Sequence, residues 1–283
     1  MILAALLVLQ ERVELKEHRS HYWLAAPADY GDGSSWPLLV ELHAEAPRSE
    51  GPARKALAGW RGTADRGFFV LAPQSRSARW GAEQAASDAA FLKACLDDAK
   101  SRYRVDPLRV LVTGEGAGAD YALDWSTANR ALVSGCFLRG AGDRKAGEGA
   151  PPVLPGDSSE AARAAALAWF RAKAPPRSSL EIVQDLVREG RWLDASLVGA
   201  DLMERPDWAP LARFQMSRVE GEGLMALGKV ELAMVDRRYL DAYARCREAA
   251  VQFAWVPAGE KARKRLAQLE TDPRVRAARQ LDD

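Results

Sequence analysis

The stretch VLVTGEGAGAD, residues 110–120, decides how the first half of the chain is read. The run VLVTG has the apolar, β-branched composition of a buried strand. It enters a cluster of three glycines at Gly114, Gly116 and Gly118. A helix-like run from Ala117 to Asn129 follows. A strand that turns through glycines into a helix is a common place for a site, because backbone can approach a ligand or another strand closely there.

Outward from this point, strand and helix signals alternate from residue 12 to about 150. VELKEH and HYWLAAP predict two antiparallel strands near a sheet edge, and Asp29 to Trp36 reads as a turn cluster. PLLVELHA (37–44), FFVLAPQ (68–74), Val110–Thr113 and LVSGCFL (132–138) predict further strands. Helices are expected over Pro52–Asp65, Glu83–Tyr103, Ala117–Asn129 and Ala161–Lys173. In the second of these, Phe91, Leu92, Cys95, Leu96, Ala99 and Tyr103 recur at helical spacing, and Asp106-Pro107 is expected to stop it before the next strand. Gly140–Asp157 reads as a loop with room for one short strand in PPVLPGD. The expected fold class is α/β, a mostly parallel, doubly wound sheet covered on both faces.

After residue 177 the strand signals stop and an internal repeat appears. Arg191-Trp192-Leu193-Asp194-Ala195 recurs 47 residues later as Arg238-Tyr239-Leu240-Asp241-Ala242. Trp208-Ala209-Pro210 recurs at the same offset as Trp255-Val256-Pro257. Proline suits a first helical turn, so each W-x-P opens a helix and the pattern predicts helical hairpins. It loosely resembles tetratricopeptide-like repeats. The four aromatics at 192, 208, 239 and 255 are expected to pack between helices. The final TDPRVRAARQLDD reads as a capping turn and tail. The expected organisation is a sheet domain over 1–174 and a helical-hairpin domain over 175–283, with the break at Ala174-Pro175-Pro176.

Length and composition agree with two globular domains in 283 residues. The balance of 40 basic and 39 acidic residues gives no basic surface, and no nucleic-acid partner is expected. Cys95, Cys136 and Cys246 are too few for a disulfide framework or zinc cluster and are expected as buried thiols. The apolar MILAALLVLQ at residues 1–10 is compatible with a short signal segment, a first strand or a tail, which leaves export and a cytoplasmic location both open. It is too short to span a membrane.

Taken together, Tyr22–Ala44 (YWLAAPADYGDGSSWPLLVELHA), GFFVLAPQ and YRVDPLRVLVTGEGAGA at 103–119 resemble the esterase-like part of the α/β-hydrolase superfamily, over residues 12–140. The resemblance implies that Gly114-Glu115-Gly116-Ala117-Gly118 stands where the nucleophile elbow G-x-S-x-G would be, with Gly116 in place of the serine. It implies that His43-Ala44 stands at the His-Gly of the oxyanion loop. Such an enzyme needs serine, acid and histidine in that chain order. The histidines are His18, His21 and His43, so none follows the elbow. Asp157 only echoes an acid position. The expectation is a hydrolase-like domain without catalytic residues, joined to a helical module that binds a protein partner, with no cofactor and no metal.

Three alternatives remain open from the residues. Gly114, Gly116 and Ala119 satisfy G-x-G-x-x-[GA], a nucleotide-binding loop over 114–119, although Arg139-Gly140 follows the next strand where an acidic residue is expected. Glu41, His43 and Glu45 alternate on one strand and offer metal-ligand types, although such residues spread along a strand rather than converge. A weak serine esterase or peptidase would need Ser75, Ser77 or Ser126 with an unusual base such as Glu115.

Overall fold

The computed structural model describes residues 10–27, 30, 35–45, 51–60, 67–81, 84–140, 150–157, 159–172 and 180–282. Most of the signal-like segment 1–10, parts of the turn cluster 29–36 and of the loop 140–157, and the Ala174–Pro176 break lie outside them. The chain divides into two compact units. The first is Met1–Leu96 with Val105–Pro175, and the second is Asp97–Arg104 with Pro176–Asp283.

The first unit is built on seven strands: β1 (Gln10–Leu15), β2 (Ser20–Ala25), β3 (Trp36–Leu42), β4 (Phe69–Pro73), β5 (Val105–Glu115), β6 (Gly135–Arg139) and β7 (Val153–Gly156). They lie in the order β1-β2-β4-β3-β5-β6-β7. β1 and β2 are antiparallel at one edge, and β3 to β7 are parallel. This is the mostly parallel sheet that the sequence predicts. Alternation along the strands sends residues to two faces. On one, Leu39, Val70, Leu111 and Phe137 are buried with Trp60, α1 (Gly51–Ala58) and Phe170 of α4 (Glu160–Ala172). The described residues add α2 (Ala85–Arg102), whose residues from Asp97 on belong to the second unit, and α3 (Ala117–Ala128), which packs on β3, β5 and β6.

Some elements differ from their sequence-based bounds. The strand expected at Val110–Thr113 begins at Val105, because Trp36 pairs with Val105 and an irregularity before Leu38 lets β5 pass through Pro107. A proline that lacks its N–H is tolerated at such a bulge. The strand expected over VELKEH ends at Leu15, where Lys16–His18 form a 3-10 turn. The helix expected over 52–65 is described only for Gly51–Ala58, and 61–66 lie outside the described residues.

In the second unit α5 (Leu180–Arg188), α6 (Trp192–Met203), α7 (Ala209–Val235), α8 (Tyr239–Gln252), α9 (Pro257–Thr271) and α10 (Pro273–Asp282) form successive hairpins. The 47-residue offset is kept in the backbone. Arg191 N donates to Leu186 O at 2.9 Å, and Arg238 N donates to Ala233 O at 2.8 Å. Gly190 and Arg237 have φ of 71° and 61°, the left-handed residue that ends a helix. Arg191 pairs with Asp194, as Arg238 pairs with Asp241. The last nine residues of α7 therefore repeat α5, and the 27-residue α7 belongs to two successive hairpins.

The repeat aromatics divide. Trp192 stacks on Phe253 at 6.2 Å, Tyr239 packs on the buried cluster of Val230, Ala242 and Leu269, and the Trp255 Nε1 donates to Lys100 O at 2.7 Å. Trp208 is 41% exposed, so it does not pack as expected, because it stands in the turn ahead of α7. The expected C-terminal tail is instead helix α10. Asp272 accepts from Arg274 N at 2.8 Å and caps it, and Val275 is fully buried. Among the described residues no helix is long and apolar enough to cross a membrane.

Candidate functional site

The glycine turn lies at the C-terminal ends of β3, β5 and β6, the end of a parallel sheet where ligands bind. Gly116 is its apex and the N-cap of α3, with φ 54° and ψ −122°. An L-residue rarely adopts that conformation, and a nucleophile at a strand-to-helix elbow is held in a strained turn of this kind. The Gly116 N–H donates to Arg139 O at 2.9 Å, and Gly116 O accepts from Ala119 N at 2.9 Å.

Gly114 and Gly118 serve contact rather than conformation. A Cβ on Gly114 would stand 2.4 Å from the Gly118 carbonyl. A Cβ on Gly118 would stand 2.4 Å from Leu42 O and 2.5 Å from His43 O. The start of α3 is therefore pressed backbone to backbone against the end of β3. A Cβ on Gly116 would meet nothing within 4 Å. The turn therefore has an open apex at Gly116.

His43 is held in the sheet unit by both ring nitrogens. Nδ1 lies 2.7 Å from Ala44 O, which requires Nδ1–H, and Nε2 accepts from Ser75 N at 3.2 Å. Burial pushes its pKa down, and the hydrogen bond to Ala44 opposes this only partly. The ring tilts against Trp80 at 5.4 Å, and Trp80 stacks on Tyr121 at 5.8 Å. With Nδ1–H donating to Ala44 O and the Nε2 lone pair accepting from Ser75 N, both ring nitrogens are engaged.

Glu41, two residues before His43, has different partners. It accepts from Trp60 Nε1 at 2.7 Å and is ion-paired with Arg139, which also reaches Glu115 at 3.3 Å. Burial raises the Glu41 carboxyl to about 6, against the opposing pull of Arg139 and Trp60. Glu41, His43 and Glu45 therefore do not converge: the first two have separate partners, and Glu45 is exposed. Arg139 stands at the end of β6, where a dinucleotide site would want an acid, and its guanidinium binds two carboxylates instead.

Of the candidate serines, Ser75 and Ser77 have side-chain partners. Ser75 is buried, with its Oγ 3.4 Å from Ser77 Oγ and accepting from Ser77 N at 3.2 Å. Ser126 is fully buried on α3. Glu115 pairs with Arg139, and Asp157, fully exposed, accepts from Ser159 N at 2.8 Å. A cavity of about 330 Å³ opens beside the elbow, lined by Arg79, Trp80, Ala117, Asp120 and Tyr121. Sequence reasoning did not single out Trp60, Trp80 or Tyr121. The one available signal for Arg139 was a charge closing an apolar strand.

No protein-family model and no curated protein matches the chain. Among solved structures, the chain is similar to a thermostable esterase, 20% identical with a TM-score of 0.38, over 47% of this chain and 41% of that one. It is similar to an acetyl xylan esterase from Aspergillus awamori, 17% identical with a TM-score of 0.36, over 46% and 51%. An acylaminoacyl peptidase from Pyrococcus horikoshii is 14% identical with a TM-score of 0.38, over 47% and 22%. The chain thus spans at most about half the length of these structures.

Proposed function

We propose that this chain is a binding or scaffolding protein whose hydrolase-type sheet unit performs no acyl transfer. The observation that carries the proposal is Gly116 itself, an elbow apex with open space above it and no side chain. Three further facts support it. No histidine follows residue 43. His43 has both ring nitrogens engaged. Glu115, the nearest carboxylate, is paired with Arg139. Nucleophile and base are both missing, and neither is replaced by a neighbour within the turn. The helical unit supplies the binding surface, because stacked hairpins present an extended one. The cleft beside Trp80 and Tyr121 retains the position of a substrate site without its chemistry.

The test is a fluorophosphonate label and a panel of p-nitrophenyl esters, applied to protein purified free of host esterases. No labelled serine and no hydrolysis above buffer is expected. Stoichiometric labelling at Ser75, Ser77 or Ser126 would falsify the proposal and favour a weak esterase or peptidase. Thermal stabilisation by NAD, NADP or FAD would favour the nucleotide-binding alternative at 114–119 instead.

A further inference from the structure

Two carboxylates share one guanidinium beside the elbow. Arg139 at the end of β6 reaches across β5 to Glu41 on β3, and it also bonds Glu115 at 3.3 Å. The side chains of Glu41 and Arg139 are 3% and 2% exposed, whereas that of Glu115 is 46% exposed. With both carboxylates ionised the group carries one uncompensated negative charge, and a buried charge is costly. One proton makes the group neutral. A second observation gives that proton a destination. Thr113 is fully buried, and its Oγ1 has no hydrogen-bond partner. Thr113 pairs with Glu41 in the register of β3 and β5, so both side chains leave the same face of the sheet. Both Glu41 oxygens already accept, Oε2 from Trp60 Nε1 and Oε1 from Arg139. An ionised carboxyl only accepts, whereas a protonated one has a hydrogen to donate, and the Thr113 hydroxyl alongside is an acceptor for it.

We propose that Glu41 is a proton-binding site whose occupancy moves Arg139 between two carboxylates and so resets the rim of the Gly116 turn. With Glu41 ionised, Arg139 is held by it, and Glu115 is the longer, more exposed contact. On protonation the hydrogen comes from solvent and sits on the oxygen that Arg139 leaves. It is donated to Thr113 Oγ1, while Trp60 Nε1 stays on the other oxygen. Arg139 keeps its charge and closes on Glu115. Glu115 is the residue before the apex, and the Gly116 N–H donates to Arg139 O at 2.9 Å, so both members of the new pair adjoin Gly116. The exchange is a two-state element of the kind that a buried titration can bias.

Among the described residues the other groups around Glu41 are committed elsewhere. β4 has no titratable side chain. On α1, Arg54 lies over the Trp23 ring and Lys55 is exposed. Arg163 of α4 lies over the Trp60 ring and donates to Gly59 O at 3.0 Å. His43, next along the chain, has both ring nitrogens engaged. Burial sets the balance: it raises the Glu41 carboxyl to about 6, against the opposing pull of Arg139 and Trp60. The exchange is therefore centred on that pH. It goes beyond the binding role proposed above and is independent of any acyl transfer at the turn.

The test is NMR of the full chain from about pH 4.5 to 8, following the Trp60 indole N–H and the side-chain carboxyl carbon of Glu115. Both should change with a common midpoint near 6. Trp60 responds because its acceptor turns from carboxylate to acid, and Glu115 because Arg139 closes on it. Glu41→Gln should abolish both steps. Thr113→Val removes the acceptor of the acid form and should lower the midpoint by about 0.5–1 pH unit, and Thr113→Ser should restore it. A Glu115 signal flat through pH 6, steps that persist in Glu41→Gln, or a midpoint unmoved in Thr113→Val would each overturn the proposal. Should Glu41→Gln fail to fold, the wild-type Glu115 signal and the two Thr113 variants still decide it. An ester panel that found activity would leave the exchange standing, so the two proposals fail separately.

Discussion

Lys100 and Asp194 form an ion pair of 2.8 Å inside the helical unit, with their side chains 1% and 7% exposed. Arg191 Nη2 adds a second bond to Asp194 at 2.7 Å. Removing one member of a buried pair leaves an uncompensated charge, which costs about 3–5 kcal/mol. Asp194→Ala should lose that much in urea unfolding, whereas Lys100→Met/Asp194→Leu should lie close to the parent. A double variant as unstable as Asp194→Ala would show that the pair contributes more than mutual neutralisation.

The same carboxylate has a worked pH dependence. Burial pushes Asp194 up, but Lys100 and Arg191 together outweigh it, so its folded pKa lies below the usual aspartate value. A depressed folded pKa contributes stability that is present above the unfolded value of about 4 and is lost as pH falls through the folded one. Asp194→Asn should therefore lose more stability at pH 7 than at pH 2. Equal losses at the two pH values would contradict the assignment.

Glu41 behaves in the opposite sense. Its folded pKa of about 6 lies above the unfolded carboxylate value, so its contribution is present below about pH 4 and declines as pH rises through 6. Across that window the change is on the order of 2 kcal/mol. Glu41→Gln keeps an acceptor for Trp60 and Arg139 and removes the titration. The stability difference between wild type and Glu41→Gln, followed from pH 4 to 8, should shift towards the variant. A pH-independent difference would count against the raised pKa.

The two helix ends related by the repeat predict a stabilising substitution. Arg237 has φ 61° where the earlier repeat has Gly190 at φ 71°. A side chain in the left-handed conformation costs about 1–2 kcal/mol that glycine does not. Arg237→Gly should raise stability by about 1 kcal/mol, and Gly190→Ala should lower it similarly. Thermal melts of both variants check the pair of signs.

At the elbow the three glycines should respond differently. Gly114→Ala and Gly118→Ala place a Cβ 2.4 Å from backbone atoms that have no side-chain freedom to yield, so both should be destabilised by several kcal/mol or fail to fold. Gly116→Ser meets only backbone strain of about 1–3 kcal/mol, because the apex is open. It should fold and remain unlabelled by fluorophosphonate, since no base adjoins it. Folded Gly114→Ala of wild-type stability would refute the close-contact account.

The order of elements, the strand–glycine–helix turn and the 47-residue repeat were legible in the sequence alone. They are local patterns, carried by the spacing of apolar residues, glycines and prolines along a few turns of chain. The absence of any histidine beyond residue 43 was legible too, because three can be counted. The purpose of individual charges was not. Glu41 suggested a metal ligand and Arg139 only a departure from a motif, until the sheet order brought them together from 98 positions apart. Lys100 gave no signal of burial, since Asp194 is 94 positions away. Tertiary structure alone decided these pairings, because burial raises the cost of an unpaired charge and the chain must supply its partner from wherever the fold places one.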